Sequence, residues 1–234
     1  MYQLNNKNQH GLKRSSTTFP SEQLIKILGT PGAYVIGHFE CPAPLSGRRG
    51  NHFDAVYVAE PISGNPEFVQ WIVDDMVLWS NKEKLDFDVI LAPAQEAVKA
   101  FVTPLAQRLG KRVAYLDYFP SGWLGGKLVE GEINKGDRVL VFNAVSQTGR
   151  CVGETLPKVV EQLGGITIGA AAFCKGTTGG VIQAEHKYGS KFYATIQAHI
   201  GIKSPTDCLQ CKDESKKELK PWTDVLNAGK ATSV

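Results

Sequence analysis

Between Asn143 and Arg150 the chain reads Asn-Ala-Val-Ser-Gln-Thr-Gly-Arg, directly after the apolar run Arg138-Val-Leu-Val-Phe. A strand that passes through a turn of hydroxyl and glycine residues into a helix gathers backbone N–H groups and the positive end of the helix dipole at one point. That arrangement suits a phosphate. Ser146 and Thr148 can add hydroxyl donors, and Arg150 a charged fork. The same residues also make an ordinary strand-to-helix turn with Ser or Thr as N-cap, and the residues alone leave both readings open. Lys99 and Lys127 are further basic groups for such a site, and solvated surface accounts for them equally well.

A second chemistry is available at Cys208-Leu-Gln-Cys211. Two thiolates at this spacing can bind zinc, but a tetrahedral site takes four ligands. The chain has no second C-x-x-C, and Cys41, Cys174, His38, His186 or His199 could join only through folding. Free thiols in a charged tail are the expected state, and no metal is assigned to the pair. Cys151 and Cys174 fall in apolar elements and read as small core residues rather than nucleophiles.

The elements that must position these groups are legible as periodic segments. Residues 88–92, 112–116, 138–142 and 166–173 are short apolar runs of the kind that form buried parallel strands. The spacing predicts a helix over 96–109, with Val98, Phe101, Val102, Leu105 and Leu109 inward and Gly110 as its stop. It predicts another over about 149–163, kinked at Pro157. Strands and helices alternating this way imply an α/β fold with a mostly parallel central sheet flanked by helices. Ligands in such folds bind beyond the carboxyl ends of the strands. Upstream, 33–36 and 53–58 read as two strands of a small N-terminal hood, joined by a turn-rich stretch over 42–50. Pro66 then opens a helix over 67–79. The Gly/Pro-rich stretch 119–136 is too long for a plain connection, which marks it as a long flap over the site.

The segment 138–150 resembles the phosphoribosyl-pyrophosphate (PRPP) motif of type I phosphoribosyltransferases. There a hydrophobic strand runs into two acidic residues, two spacers, a Thr-rich turn with Gly, and a helix. Thr148-Gly149 falls on the 5′-phosphate turn. Ala92-Pro93-Ala94-Gln95-Glu96 is similar to the pyrophosphate loop, and 119–136, with Gly125-Gly126-Lys127-Leu-Val-Glu-Gly131, to the mobile hood loop of the orotate branch. Asn51-His-Phe-Asp54 to Asn65-Pro-Glu67 resembles that branch too, so the likeness covers about residues 50–175. It implies transfer to or from a 5-phosphoribosyl group, of the orotate or nucleobase type, with Mg²⁺ as cofactor when PRPP is the substrate, and a homodimer. By position it assigns Ser146, Gln147, Thr148, Gly149 and Arg150 to the 5′-phosphate, and Ala94, Gln95 and Glu96 to the pyrophosphate loop. It places Asn143 at the ribose and Lys127 over the reacting centre.

The chain departs from the family pattern in three places. Asn143-Ala144 stand where the acidic pair holds the ribose hydroxyls, Asp117-Tyr118 where the orotate branch has basic residues, and Glu96 in the pyrophosphate loop. These departures favour a second reading, a non-catalytic nucleotide- or monophosphate-binding regulatory protein on the same fold. The Gly-rich flap favours the enzyme.

Composition bounds the partners. The 234 residues suit one α/β domain over 21–205, with an N-terminal arm over 1–20 and a charged tail over 206–234. A net charge of +3 is too small to argue for nucleic acid, and no apolar run is long enough to span a bilayer. The N-terminus is polar, without the apolar core of a signal peptide, and five cysteines make no even disulfide framework. The expectation is a cytoplasmic protein whose partner is a small phosphorylated molecule.

Overall fold

The computed structural model describes residues 12–16, 19–40, 50–119, 124–213, 218–221 and 224. Most of the N-terminal arm, Cys41 with nearly all of the hood turn, the flap residues 120–123 and much of the tail lie outside the described residues.

In chain order the elements are β1 (Leu12–Arg14), α1 (Ser21–Leu28), β2 (Tyr34–Glu40), β3 (His52–Tyr57), α2 (Glu60–Ser63), α3 (Pro66–Lys82), β4 (Val89–Pro93), α4 (Glu96–Leu109), β5 (Arg112–Tyr118) and β6 (Leu124–Glu130). Then follow β7 (Arg138–Ser146), a π-helical turn (Cys151–Thr155), α5 (Leu156–Gln162), β8 (Ile166–Lys175), α6 (Gly179–Tyr188), β9 (Phe192–Ala198), β10 (Ile202–Lys203), α7 (Leu209–Lys212) and β11 (Lys220–Pro221).

The central sheet runs β1-β9-β8-β7-β4-β5-β6. Its five inner strands are parallel, and β1 and β6 are antiparallel edges. The inner strands are apolar at both parities because each face is covered. Ile90, Ala92, Leu140 and Phe142 join the layer under α3 and α4, whereas Val89, Leu91, Val139 and Val141 join the layer under α5. The mostly parallel α/β sheet expected from the sequence is therefore what forms. Asn65 caps α3 by accepting the N–H groups of Glu67 and Phe68, with Pro66 in the first turn, where its missing N–H costs nothing.

The stretch read as a flap over 119–136 contains the edge strand β6, which pairs with β5 at Tyr118↔Leu124, Leu116↔Leu128 and Tyr115↔Glu130. Leu124 and Leu128 pack on the core, and the Asp117 carboxylate accepts the Lys127 N–H at 3.0 Å. Glycine content suggested a loop, but here it lets β6 lie close: a Cβ on Gly125 would meet Asp117 Oδ2 at 2.0 Å. The helix predicted over about 149–163 forms, with Cys151–Thr155 π-helical and Leu156–Gln162 α-helical. The change of helix type falls at Leu156, beside Pro157, which has no N–H to offer the preceding turn.

The hood is a separate sheet in the order β10-β3-β2-β11. Its outer strands come from the C-terminal part of the chain. Tyr57, at the end of β3, packs on Phe173 of β8 with ring centroids 5.8 Å apart, which joins hood and central sheet in one core.

Candidate functional site

Strand order reverses between β4 and β7, and the cleft of the molecule opens there, beyond the carboxyl ends of the strands. Gln95 after β4, Tyr118 at the end of β5, and Asn143 to Thr148 form its floor; Tyr57 to Glu60 of the hood and Leu124 of β6 form its walls. Counted out to its open mouth, the cleft holds about 700 Å³. Among the described residues that line it there is no lysine, arginine or histidine, and Glu60 is the one carboxylate.

Two hydroxyls in this wall stand out by having nothing to bond. Ser146 Oγ and Tyr57 Oη are buried without a hydrogen-bond partner, each on a residue 2% exposed. A buried polar atom left unpaired costs about 1–3 kcal/mol, and both hydroxyls belong to residues that line one cleft. Burial raises the Tyr57 phenol well above its ordinary pKa, with Cys174 adding to the effect. Burial likewise pushes Tyr118 up to about 12, helped by the charges of Glu60 and Cys151. Both phenols therefore remain donors at neutral pH.

The turn after β7 is held by close backbone packing. Gly149 has φ 77°, and a Cβ there would meet the carbonyl carbon of Gly180 at 2.3 Å. Thr148 Oγ1 accepts the Arg150 N–H at 3.4 Å within the turn, whereas the helical turn that follows has Arg150 as its N-cap and no side-chain cap. Gln147 and Thr148 nevertheless face the cleft. The Arg150 side chain does not line it; it is exposed, with Nε 4.0 Å from Glu154. Gly149 lies behind the turn, against Gly180.

Of the other residues picked from the sequence, Asn143 and Gln95 line the cleft. Asn143 Nδ2 donates to the Val145 carbonyl at 3.2 Å, and Gln95 Nε2 donates to Glu60 Oε1 at 3.3 Å. Ala94, Glu96 and Lys127 do not line it: the Ala94 N–H donates to Leu116 O, and Glu96 and Lys127 are exposed. Lys99 pairs with Glu130 at 3.0 Å and sits over the Tyr115 ring. The Asp117 carboxylate is turned onto β6, so it does not present its charge to the cleft. Tyr57 and Glu60 were not singled out from the sequence; their position just past the end of a hood strand was the available signal.

Cys151 also lines the cleft. Burial pushes its thiol up to about 11, against the lowering effects of Asn143 and Arg150. The thiolate is the reactive form, and the raised pKa keeps it scarce at pH 7. Iodoacetamide at neutral pH is therefore expected to label Cys151 far more slowly in the folded chain than in urea, read by peptide mass spectrometry. Equal rates in the two states would show an accessible, activated thiol instead.

No protein-family model matches the chain. It is 28% identical over 148 residues to the orotate phosphoribosyltransferase of Pyrococcus abyssi, covering 63% of this chain and 77% of that one. To the orotate phosphoribosyltransferase of Campylobacter jejuni subsp. doylei it is 26% identical over 207 residues, covering 85% and 96%. The crystal structure of Mycobacterium tuberculosis orotate phosphoribosyltransferase in complex with inorganic phosphate superimposes with a TM-score of 0.51 at 20% identity, covering 74% of this chain and 93% of that one.

Proposed function

From the premise that this chain is an orotate phosphoribosyltransferase-like protein of the type I phosphoribosyltransferase fold, we propose that its cleft binds a 5-phosphoribosyl group and serves transfer of that group to or from a nucleobase. In this reading the 5′-phosphate lies at Ser146, Gln147 and Thr148, and the ribose lies toward Asn143. The observation that carries it is the pair of buried hydroxyls, Ser146 Oγ and Tyr57 Oη, that have no hydrogen-bond partner among the described residues and belong to residues lining the same cleft. A homodimer, which rests on the resemblance, and a cytoplasmic location, which rests on the polar N-terminal sequence, belong to the same proposal. Among the described residues no helix is long and apolar enough to cross a membrane.

In the transfer reaction a base nitrogen forms a bond to C1′ while the bond from C1′ to the diphosphate oxygen breaks, its electron pair leaving with pyrophosphate. Positive charge develops at C1′, and fixed negative groups beside it lower the barrier. The chain offers Asn143 and Ala144 at the end of β7, which bring no charge. Mg²⁺ accompanies the diphosphate when PRPP is the donor, but the described lining fits the ion poorly: Glu60 is its one carboxylate, and Glu60 Oε1 already accepts from Gln95. The cation-free lining and the neutral pair 143–144 favour one second reading, a monophosphate-binding protein that does not turn over PRPP.

Ser146→Ala tests the shared core of both readings. The hydroxyl has no partner in the free protein, so its removal should leave stability unchanged or slightly raised. Affinity for ribose 5-phosphate and for nucleoside 5′-monophosphates, measured by calorimetric titration, should fall by about 1–3 kcal/mol. Unchanged affinity would overturn the assignment of this turn to the phosphate.

A further inference from the structure

His38 and His52 stand on the adjacent antiparallel strands β2 and β3, each 6% exposed. A bulge between Ile36 and Phe39 shifts the register so that Glu40 opposes His52. His38 becomes the diagonal neighbour of His52 on the same face, with ring centroids 4.6 Å apart. Past β10, which pairs with β3 at Lys203↔His52, the Ser204 carbonyl accepts the N–H groups of Asp207 and Cys208. This turn brings the C-x-x-C pair to the two rings. Cys208 Sγ lies 3.5 Å from His38 Nε2, and Cys211 Sγ lies 3.5 Å from His38 Nε2 and 3.2 Å from His52 Nδ1. The two imidazole nitrogens are 2.8 Å apart, and all four donor atoms fall within 4.8 Å of one another. The sequence reading left Cys208 and Cys211 as thiols of a tail; folding gives Cys208 a buried place at 4% exposure.

We propose that His38, His52, Cys208 and Cys211 bind one zinc ion that clamps the C-terminal segment onto the hood. Hydrogen bonding serves this cluster poorly, because thiols are weak donors and a neutral imidazole donates from only one of its nitrogens. Zinc at about 2.0–2.1 Å from nitrogen and 2.3 Å from sulfur holds its donors roughly 3.3–3.8 Å apart. The separations in the cluster, from 2.8 Å between the nitrogens up to a bound of 4.8 Å, bracket that spacing. Two thiolates and one Zn²⁺ cancel, which leaves the buried centre neutral. Two nitrogens and two sulfurs in a tetrahedron select zinc over the oxygen-seeking Mg²⁺ and Ca²⁺. The protein fills all four positions, so the centre is closed and structural rather than catalytic. Its ligands come from two hood strands and a segment near the far end of the chain, and β3 carries its effect from His52 to the cleft residue Tyr57. None of the four ligands lines the cleft, so this inference can fail while the phosphoribosyl reading stands, and the reverse.

The test uses the full chain, expressed with zinc supplied and purified without chelator. Elemental analysis should find about one zinc per chain. Zinc-edge X-ray absorption on the unaltered protein should give a shell of two sulfurs near 2.3 Å and two nitrogens near 2.0–2.1 Å. Chelation should lower the thermal unfolding temperature, and Cys211→Ser and His52→Ala should each lose the metal. Cobalt added to the metal-free chain should show the visible bands of a tetrahedral site with a thiolate charge-transfer band. A folded chain that takes up no stoichiometric zinc or cobalt, or a zinc shell made of oxygens, overturns the proposal. So does full metal retention in the Cys208→Ser, Cys211→Ser double variant. The absorption and cobalt spectra need no variant, so they decide the matter even if a substituted chain fails to fold.

Discussion

With PRPP, Mg²⁺ and orotate, the unaltered chain is expected to release pyrophosphate at least about 100-fold more slowly than the ordinary enzyme median of about 10 s⁻¹. The reason is the missing charge at the end of β7. One fixed group aimed at developing transition-state charge is commonly worth about 10²–10³ in rate, and here both positions of the acidic pair are uncharged. Asn143 lines the cleft, so Asn143→Asp returns a carboxylate to it. The substitution gives up the 3.2 Å bond from Nδ2 to the Val145 carbonyl, which frees the side chain to turn toward the ligand. Pyrophosphate release should then rise by about 10- to 100-fold, a fraction of the full effect of a positioned charge. Ala144 is a poorer place to add a second carboxylate. It is 2% exposed and belongs to the apolar layer of Phe142 and Phe173, so Ala144→Asp should cost stability through burial of charge. Asp117 should be left alone, because its carboxylate holds the Lys127 N–H. A turnover near 10 s⁻¹ by the unaltered chain would show that the pair is dispensable. No release with any base, beside clear monophosphate binding, would favour the non-catalytic reading.

Gly149→Ala should unfold the turn and weaken the whole domain. Left-handed backbone costs an L-residue about 1–2 kcal/mol on its own. The added Cβ would also lie 2.3–2.4 Å from the Gly180 carbonyl and the Val181 nitrogen, and backbone cannot swing away as a side-chain tip can. From the reverse side, a Cβ on Gly180 would meet the Thr148 carbonyl at 2.3 Å, so neither loop has room to retreat. The expected loss is about 3 kcal/mol or more, which for a chain of this size lowers Tm by about 6–12 °C. Monophosphate binding should fall with it, because Ser146, Gln147 and Thr148 share the displaced turn. Gly126→Ala is the control. Nothing lies within 4 Å of its Cβ position, and it should stay within about 0.5 kcal/mol of the unaltered chain in urea unfolding. Equal stability of the two variants would show that the contact between the loops is slack.

What the sequence determined by itself is whatever depends on neighbours along the chain. Strands such as Val89–Pro93 and Arg138–Ser146 are apolar at both parities because both faces are buried, and that pattern is readable without coordinates. The strand-to-helix turn at 146–149 was readable for the same reason, since its hydroxyls and its glycine are contiguous. Direction and company were decided by tertiary structure. Arg150 has the charge for a phosphate, but the start of the π-helical turn aims it at Glu154. Asp117, which stands where the orotate branch has basic residues, is turned onto β6, where it accepts the Lys127 N–H. Tyr57 and Ser146 share a cleft only because the hood docks on Phe173. His38, His52 and the C-x-x-C pair meet only because the end of the chain returns to pair with β2 and β3. A side chain's period tells which face of its own element it occupies. What stands opposite that face is set by loop closures and strand pairings between distant segments, and no local spacing records them.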